Sequence, residues 1–214
     1  MTVLATDAFG GSGNLDANWT TIATQLNPQQ VGGFVQDETI GTTPSMACYT
    51  GITWPDNQYA QHTLVQANGA GQKYQGVLLR CLTSEVTQYR VQANGTAASA
   101  PVFIYRVNAG VATQLQTLTG VNVTPGRVLK GSVVTDGANA IIKLYINDVL
   151  IISATDVTPL LSGSPGIMMY ATAGALTECR GDDWEGGSVD DTTITGLGRA
   201  MRTMTGPLVG QSFR

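Results

Sequence analysis

Apolar and polar residues alternate along this chain in short runs separated by turns. Over residues 58–65, Tyr59, Ala60, His62 and Leu64 interleave with polar side chains. Residues 88–92 set Tyr89 and Val91 on opposite parity to Gln88 and Arg90, and residues 101–107 carry Phe103 and Tyr105. Residues 76–82 read Gly-Val-Leu-Leu-Arg-Cys-Leu, apolar enough for a central strand. Such patterns fit strands, which place alternate side chains on opposite faces, rather than helices with their 3.6-residue period. Further strands are expected over 2–9, 20–26, 33–35 and 45–49. In the second half, 127–135, 140–146 and 149–154 form a meander through the turns Asp136-Gly137-Ala138-Asn139 and Asn147-Asp148. Strands over 167–172 and 176–186 follow the turn Ser162-Gly163-Ser164-Pro165-Gly166. No ordinary helix is expected in this body. Within 196–205, Leu197, Met201 and Met204 have helix-like spacing, but glycines and threonines weaken it, so an extended arm or a short amphipathic turn is expected.

The two ends of the strand-rich region match. The first reads Asp7-Ala8-Phe9 with Leu15 and Trp19 following; the last reads Gly181-Asp182-Asp183-Trp184-Glu185-Gly186-Gly187. An acidic-aromatic strand at each end suggests that first and last strands meet and close one sandwich. The expected organisation is one β-domain over 1–188 and a C-terminal arm over 189–214.

The order of these runs resembles the concanavalin A-like lectin/glucanase sandwich, especially its laminin-G-like members. The resemblance lies in Asp7-Ala8-Phe9 with Leu15 and Trp19, in Gly76-Val77-Leu78-Leu79-Arg80 followed by Tyr89-Arg90-Val91, and in Gly131-Ser132-Val133-Val134 with Lys143-Leu144-Tyr145-Ile146-Asn147-Asp148. It continues in Pro165-Gly166-Ile167 leading to Asp182-Asp183-Trp184, and covers about residues 2–188. It implies an all-β jelly roll of two antiparallel curved sheets packed face to face. It does not imply one function, since the fold hosts lectins, glycosidases and viral surface proteins.

Composition narrows the partners. Charged residues are only 12% of the chain, about half the ordinary share, and the net charge is −4. A dominant phosphate-neutralising surface is therefore not expected, and nucleic acid is not an expected partner. No run approaches the ~18 apolar residues of a membrane span, so no membrane is expected either. The start of the chain shows no secretory signal, which leads to the expectation of synthesis in a host cytoplasm. Cys48, Cys81 and Cys179 are far apart and odd in number, so buried free thiols are expected rather than a disulfide framework or a zinc site.

Candidate chemistry is sparse. The resemblance implies that a β-glucanase of this fold would carry paired carboxylates on one strand as Glu-x-Asp-x-x-Glu, and no such run occurs. From this the chain is expected not to be an enzyme. Asp182, Asp183 and Glu185 are the tight acidic cluster; strict alternation would put Asp183 and Glu185 on one face and Asp182 with Trp184 on the other. Two readings stand for it: a structural calcium site of Asp7, Asp182 and Asp183, or a solvated edge with a capping Asp. No other cofactor is expected. His62, the single histidine, has no triad partner in sight. Trp54 lies in Thr53-Trp54-Pro55-Asp56-Asn57-Gln58, where an aromatic face sits beside groups able to bond hydroxyls. Trp54, Asp56 and Asn57 are thus the expected glycan contacts, against a packing role for Trp54; Trp19 and Trp184 are expected to plug the core.

From Thr192 onward there is no Asp or Glu, while Arg199, Arg202 and Arg214 are present. Arg199, Met201, Arg202, Met204, Leu208 and Phe213 are expected to anchor the arm on a neighbour. Together with the resemblance to virion surface domains, this gives the leading expectation: a non-catalytic phage virion protein in a capsid, head fibre or tail, bound to shell proteins and to copies of itself. The alternative is a carbohydrate-binding lectin-like module; a glycoside hydrolase is disfavoured.

Overall fold

A computed structural model describes residues 1–190 of the protein. Its first half contains β1 (Thr2–Asp7), β2 (Gly13–Asn14), β3 (Trp19–Thr21), β4 (Gln29–Val31), β5 (Phe34–Gln36), β6 (Ser45–Tyr49), β7 (Gln58–Ala67), β8 (Lys73–Cys81) and β9 (Gln88–Asn94). The second half adds β10 (Ala100–Asn108), β11 (Val111–Val121), β12 (Val128–Asp136), β13 (Asn139–Ile146), β14 (Val149–Asp156), β15 (Ser164–Ala171) and β16 (Cys179–Ser188). One 3-10 turn, Leu176–Glu178, precedes the last strand. The expected all-β architecture is what forms: two antiparallel sheets, face to face, in a jelly-roll sandwich.

The nine-stranded sheet runs β14-β13-β12-β7-β16-β5-β4-β2, with β1 added along β16. The seven-stranded sheet runs β11-β10-β9-β8-β15-β6-β3. The first and last strands do meet, Thr2 opposite Ser188 and Asp7 opposite Trp184. The strand expected over 20–26 is only Trp19–Thr21. Strand β11 has no counterpart in the sequence reading. It is a sheet edge whose side chains are almost all exposed, so it lacks the apolar alternation that betrays a buried strand.

Between the sheets lies one apolar core. Val77 and Leu79 of β8, Val91 of β9, Ile104 of β10 and Ile167 and Met169 of β15 meet Leu64, Leu129, Val133, Ile142 and Leu144 of the other sheet. The layers approach closely at Gly131, where an added Cβ would sit 2.9 Å from Val77 Cγ2 and 3.0 Å from Val91. At the end where β1 and β16 pair, five aromatic rings close the core. Trp19 lies edge-on to Trp184 at 4.8 Å and to Tyr49 at 5.2 Å, and Tyr49 stacks on Trp184 at 5.2 Å. Phe9 and Trp54 flank them at 6.2 and 6.3 Å from Trp19 and Trp184. Each indole N–H has an acceptor, as a buried one requires: Asp7 Oδ2 at 2.7 Å, Tyr49 O at 2.7 Å and Gly166 O at 3.3 Å for Trp19, Trp54 and Trp184.

Two sequence expectations are corrected here. Cys48 and Cys81 form a disulfide, with Cα atoms 6.2 Å apart, and among the three cysteines only Cys179 is a buried free thiol. They sit on β6 and at the end of β8, 33 residues apart but placed together by the strands, which spacing alone does not show. The alternation assumed through Asp182–Glu185 also fails. Asp183 adopts φ 48°, and β16 inserts one extra residue against β7 between Asp182 and Glu185. This β-bulge turns Trp184 inward while Asp183 is exposed.

Two predictions follow from the packing. Asp7 accepts from Phe9 N at 2.7 Å as well as from Trp19, so it ties strand β1 to the aromatic plug. Asp7→Ala is expected to lower unfolding free energy by about 2 kcal/mol in urea titrations, the scale of hydrogen bonds to a charged acceptor. His62 is fully buried, neither ring nitrogen has a partner, and burial lowers its pKa from 6.5 to about 4. Below pH 6.5 the unfolded chain therefore takes up a proton that the folded chain refuses until about pH 4. The stability gap between wild type and His62→Leu should then shift against wild type as pH falls from 7 to 4.5. Thermal melts at both pH values test this; a constant gap would mean that the imidazole is not held neutral.

Candidate functional site

The pleat that sends Val77 and Leu79 inward sends Tyr74, Gly76 and Leu78 to the outer face of the seven-stranded sheet. The same parity puts Arg90 and Gln92 of β9, Phe103 and Tyr105 of β10, and Met168 and Tyr170 of β15 on that face. Strand register brings them into rows. Tyr170 faces Tyr74, Met168 faces Gly76 and then Gln92, and Leu78 faces Arg90 and then Tyr105. Gly76 is the one position where β8 must lack a side chain: a Cβ would lie 2.7 Å from Val91 O and 2.9 Å from Gln92 Cβ. It leaves a gap in the outer row between Tyr74 and Leu78.

A cavity of about 340 Å³ lies on this face, lined by Tyr74, Arg90, Gln92, Tyr105, Met168 and Tyr170, with Thr42, Pro44 and Ala112 at its margin. Small-molecule sites typically span about 300–1,000 Å³ and combine aromatic walls with a few convergent polar groups. Tyr74 and Tyr170 stack at 5.8 Å, and Phe103 stacks on Tyr105 at 5.7 Å. The Arg90 guanidinium lies 5.4 Å from the Tyr105 ring centroid, close enough for a cation–π contact. Its Nη1 touches only the Met168 thioether, at 3.6 Å. Arg90 Nε and Gln92 Oε1 are buried and have no hydrogen-bond partner. Burial lowers the pKa of Arg90 from its ordinary value and raises that of Tyr74. No carboxylate lines this cavity.

The residues expected from the sequence lie elsewhere. Trp54 is half-buried in the aromatic plug, edge-on to Tyr49 and Trp184, with its N–H spent on Tyr49 O. Asp56 and Asn57 border a separate, more open depression of about 530 Å³ that Trp54 does not line. The Asn57 amide oxygen accepts from Thr135 N at 2.8 Å, and Asp56 O accepts from Arg80 Nε at 2.9 Å, so both act as braces between loop and sandwich. Asp7, Asp182 and Asp183 do not assemble into a calcium site. No group of three or more His, Cys, Asp or Glu side chains suited to a metal occurs among the described residues. Asp7 and Asp183 do share a small cavity, but both Asp7 oxygens are engaged and Asp182 Oδ1 accepts from Asp183 N at 2.8 Å. The expected arm residues Arg199, Met201, Arg202, Met204, Leu208 and Phe213 lie outside the described residues.

Tyr74, Arg90, Gln92, Tyr105 and Tyr170 were not singled out in the sequence. A signal was there: Phe103 and Tyr105 share parity, opposite to the core residues Val102 and Ile104. An outward aromatic pair on a central strand is a surplus that core packing does not explain.

No protein-family model matches this sequence, and no curated protein matches it. Solved structures do. The carbohydrate-binding module CBM66 of Bacillus subtilis superposes with a TM-score of 0.56 at 17% identity, covering 78% of this chain and 91% of its own. The legume lectin-like domain of Entamoeba histolytica gives 0.53 at 12% identity over 81% and 91%. The β-glucanase of Bacillus licheniformis gives 0.53 at 13% identity over 87% and 98%. The chain therefore has the concanavalin A-like lectin/glucanase sandwich fold that its strand order resembled. The glucanase likeness also corrects the expectation that the chain is not an enzyme. The frame is shared with a hydrolase over nearly its whole length, so a missing linear motif is no ground for excluding catalysis.

The aromatic residues divide into two groups with different expected responses. Trp54→Ala should cost about 2 kcal/mol of stability, since it removes a ring from the plug and orphans Tyr49 O. Tyr105→Ala, on the outer face, should cost less than about 1 kcal/mol. Urea unfolding of both variants checks the division.

Proposed function

We propose that the protein is a carbohydrate-binding, lectin-like sandwich that takes a glycan on the outer face of its seven-stranded sheet. The observation that carries this reading is the lining of the 340 Å³ cavity: three tyrosines around an arginine and a glutamine whose buried polar atoms lack partners. Sugar rings offer apolar faces that lie against aromatic rings, and hydroxyls that both donate and accept. Tyr74, Tyr105 and Tyr170 supply the first kind of contact, and Gln92 Oε1 with the Arg90 N–H groups supplies the second. The likeness to a carbohydrate-binding module and to a lectin-like domain supports the same reading. It favours the carbohydrate-binding alternative over attachment to a virion, for which the described residues offer no observation.

A glycan array followed by calorimetry on the hits tests the proposal. Tyr105→Ala or Tyr170→Ala should weaken binding by about tenfold, roughly 1.4 kcal/mol and the effect of one central aromatic anchor. Trp54→Ala should leave affinity nearly unchanged once its folding is confirmed. The reverse pattern would move the site to the Trp54 loop and overturn the assignment. Incubation of each bound oligosaccharide with the protein, read as reducing-sugar release, tells whether the chain also cleaves what it holds.

A further inference from the structure

We infer that the glycan held in this cavity is anionic, bearing a carboxylate or a sulfate ester, and that Arg90 selects it. The inference rests on the glycan-binding reading above. Four other cations with buried or half-buried side chains are matched. Lys73 pairs with Glu178 at 3.5 Å, Arg106 with Asp156 at 3.0 Å, and Lys130 with Asp148. Arg80, almost wholly buried, donates to Asp56 O at 2.9 Å, Leu160 O at 2.5 Å and Thr135 Oγ1 at 2.7 Å. Arg90 departs from these four. It forms no ion pair and donates to no oxygen; a thioether is its one hydrogen-bonded neighbour. Its Nε is shut away from water without a partner.

A desolvated, uncompensated cation is costly, and the cost is recovered only when an acceptor of opposite charge arrives. A hydroxyl would accept one hydrogen bond but leave the charge unbalanced. A carboxylate or sulfate accepts two from the planar guanidinium fork, which the Tyr105 ring holds in place. The attraction is local. The chain as a whole carries −4, so general surface charge would repel an anion rather than gather it. The tyrosine walls and the orphan Gln92 oxygen ask for something larger than a bare anion, with an apolar face and a hydroxyl donor beside the charge. An acidic pyranose has all three.

The test compares each acidic ligand with its own neutralised form: oligogalacturonate against its methyl ester, glucuronate-bearing xylo-oligosaccharide against its carboxyl-reduced form, and sulfated galactan against the desulfated chain. Affinity for the acidic member should exceed that for the neutral one by about tenfold or more, as a charge-assisted hydrogen bond gives, and the margin should shrink with added salt. The pair that shows the margin tells carboxylate from sulfate. Arg90→Gln should erase the margin, because it weakens the acidic member about tenfold more than the neutral one. Arg90→Lys, which keeps the charge but loses the fork, should retain part of it and guards against a folding defect; thermal melts accompany both. Equal binding of acidic and neutral partners, or a margin indifferent to both substitutions, overturns the inference and leaves the glycan-binding function standing. Absence of binding to every glycan, acidic and neutral, overturns both.

Discussion

The pleat of the seven-stranded sheet is the constraint on which this molecule depends. Each strand has two faces, and burying one determines the other. Once Val77, Leu79, Val91, Ile104, Ile167 and Met169 go into the core, Tyr74, Arg90, Gln92, Tyr105, Met168 and Tyr170 have no choice of side. A one-residue slip in register would send an arginine and three tyrosines into an apolar layer. Core packing and the presentation of the cavity are thus one event. The strength of the first fixes the precision of the second, since rigid strands hold side chains better than loops do.

The aromatic residues serve two purposes, separated by what their polar atoms do. In the plug at the β1–β16 end, every indole N–H finds an acceptor within the protein, and Asp7 is positioned by two such bonds. On the outer face the polar atoms beside the rings are left wanting: Arg90 Nε and Gln92 Oε1 have no partner. Closed hydrogen bonding suits a structural element, whereas orphan polar atoms that line a cavity can be satisfied by a ligand that enters it. This contrast supports the proposed glycan site on the tyrosine wall and a packing role for the tryptophans.

The shared fold sets a frame without filling it. The lectin-like, carbohydrate-binding and glucanase relatives by structure have 12–17% identity to this chain, so nothing in their side chains transfers position by position. On the outer face of its seven-stranded sheet this chain places an unpaired arginine among tyrosines, in a protein that is acidic overall. Carboxylates gather instead at the β1–β16 edge, where Asp7 is bound into the plug and Glu185 accepts from the Tyr59 hydroxyl at 2.7 Å.

Much of the architecture was legible from period-two alternation. The β12–β14 meander stands where the alternation placed it, because burying one face writes itself into the sequence, and β1 meets β16 as the matching ends suggested. Strand β11 was not legible, since an exposed polar edge carries no such record. The site was not legible either. Tyr74, Arg90, Tyr105 and Tyr170 come from four strands spread over nearly a hundred residues, and only sheet order makes them neighbours. The same holds for Cys48 and Cys81, which look like isolated thiols until two strands bring their Cα atoms to 6.2 Å. The Trp54 ring looks free in a polar loop, whereas the packed structure turns it against Tyr49 and Trp184. Local sequence sets which face of a strand is apolar. Which strands lie side by side, and so which polar groups share a cavity and which lose their partners, is settled only when the sheets assemble, because those distances depend on hydrogen-bonded register between segments far apart in the chain.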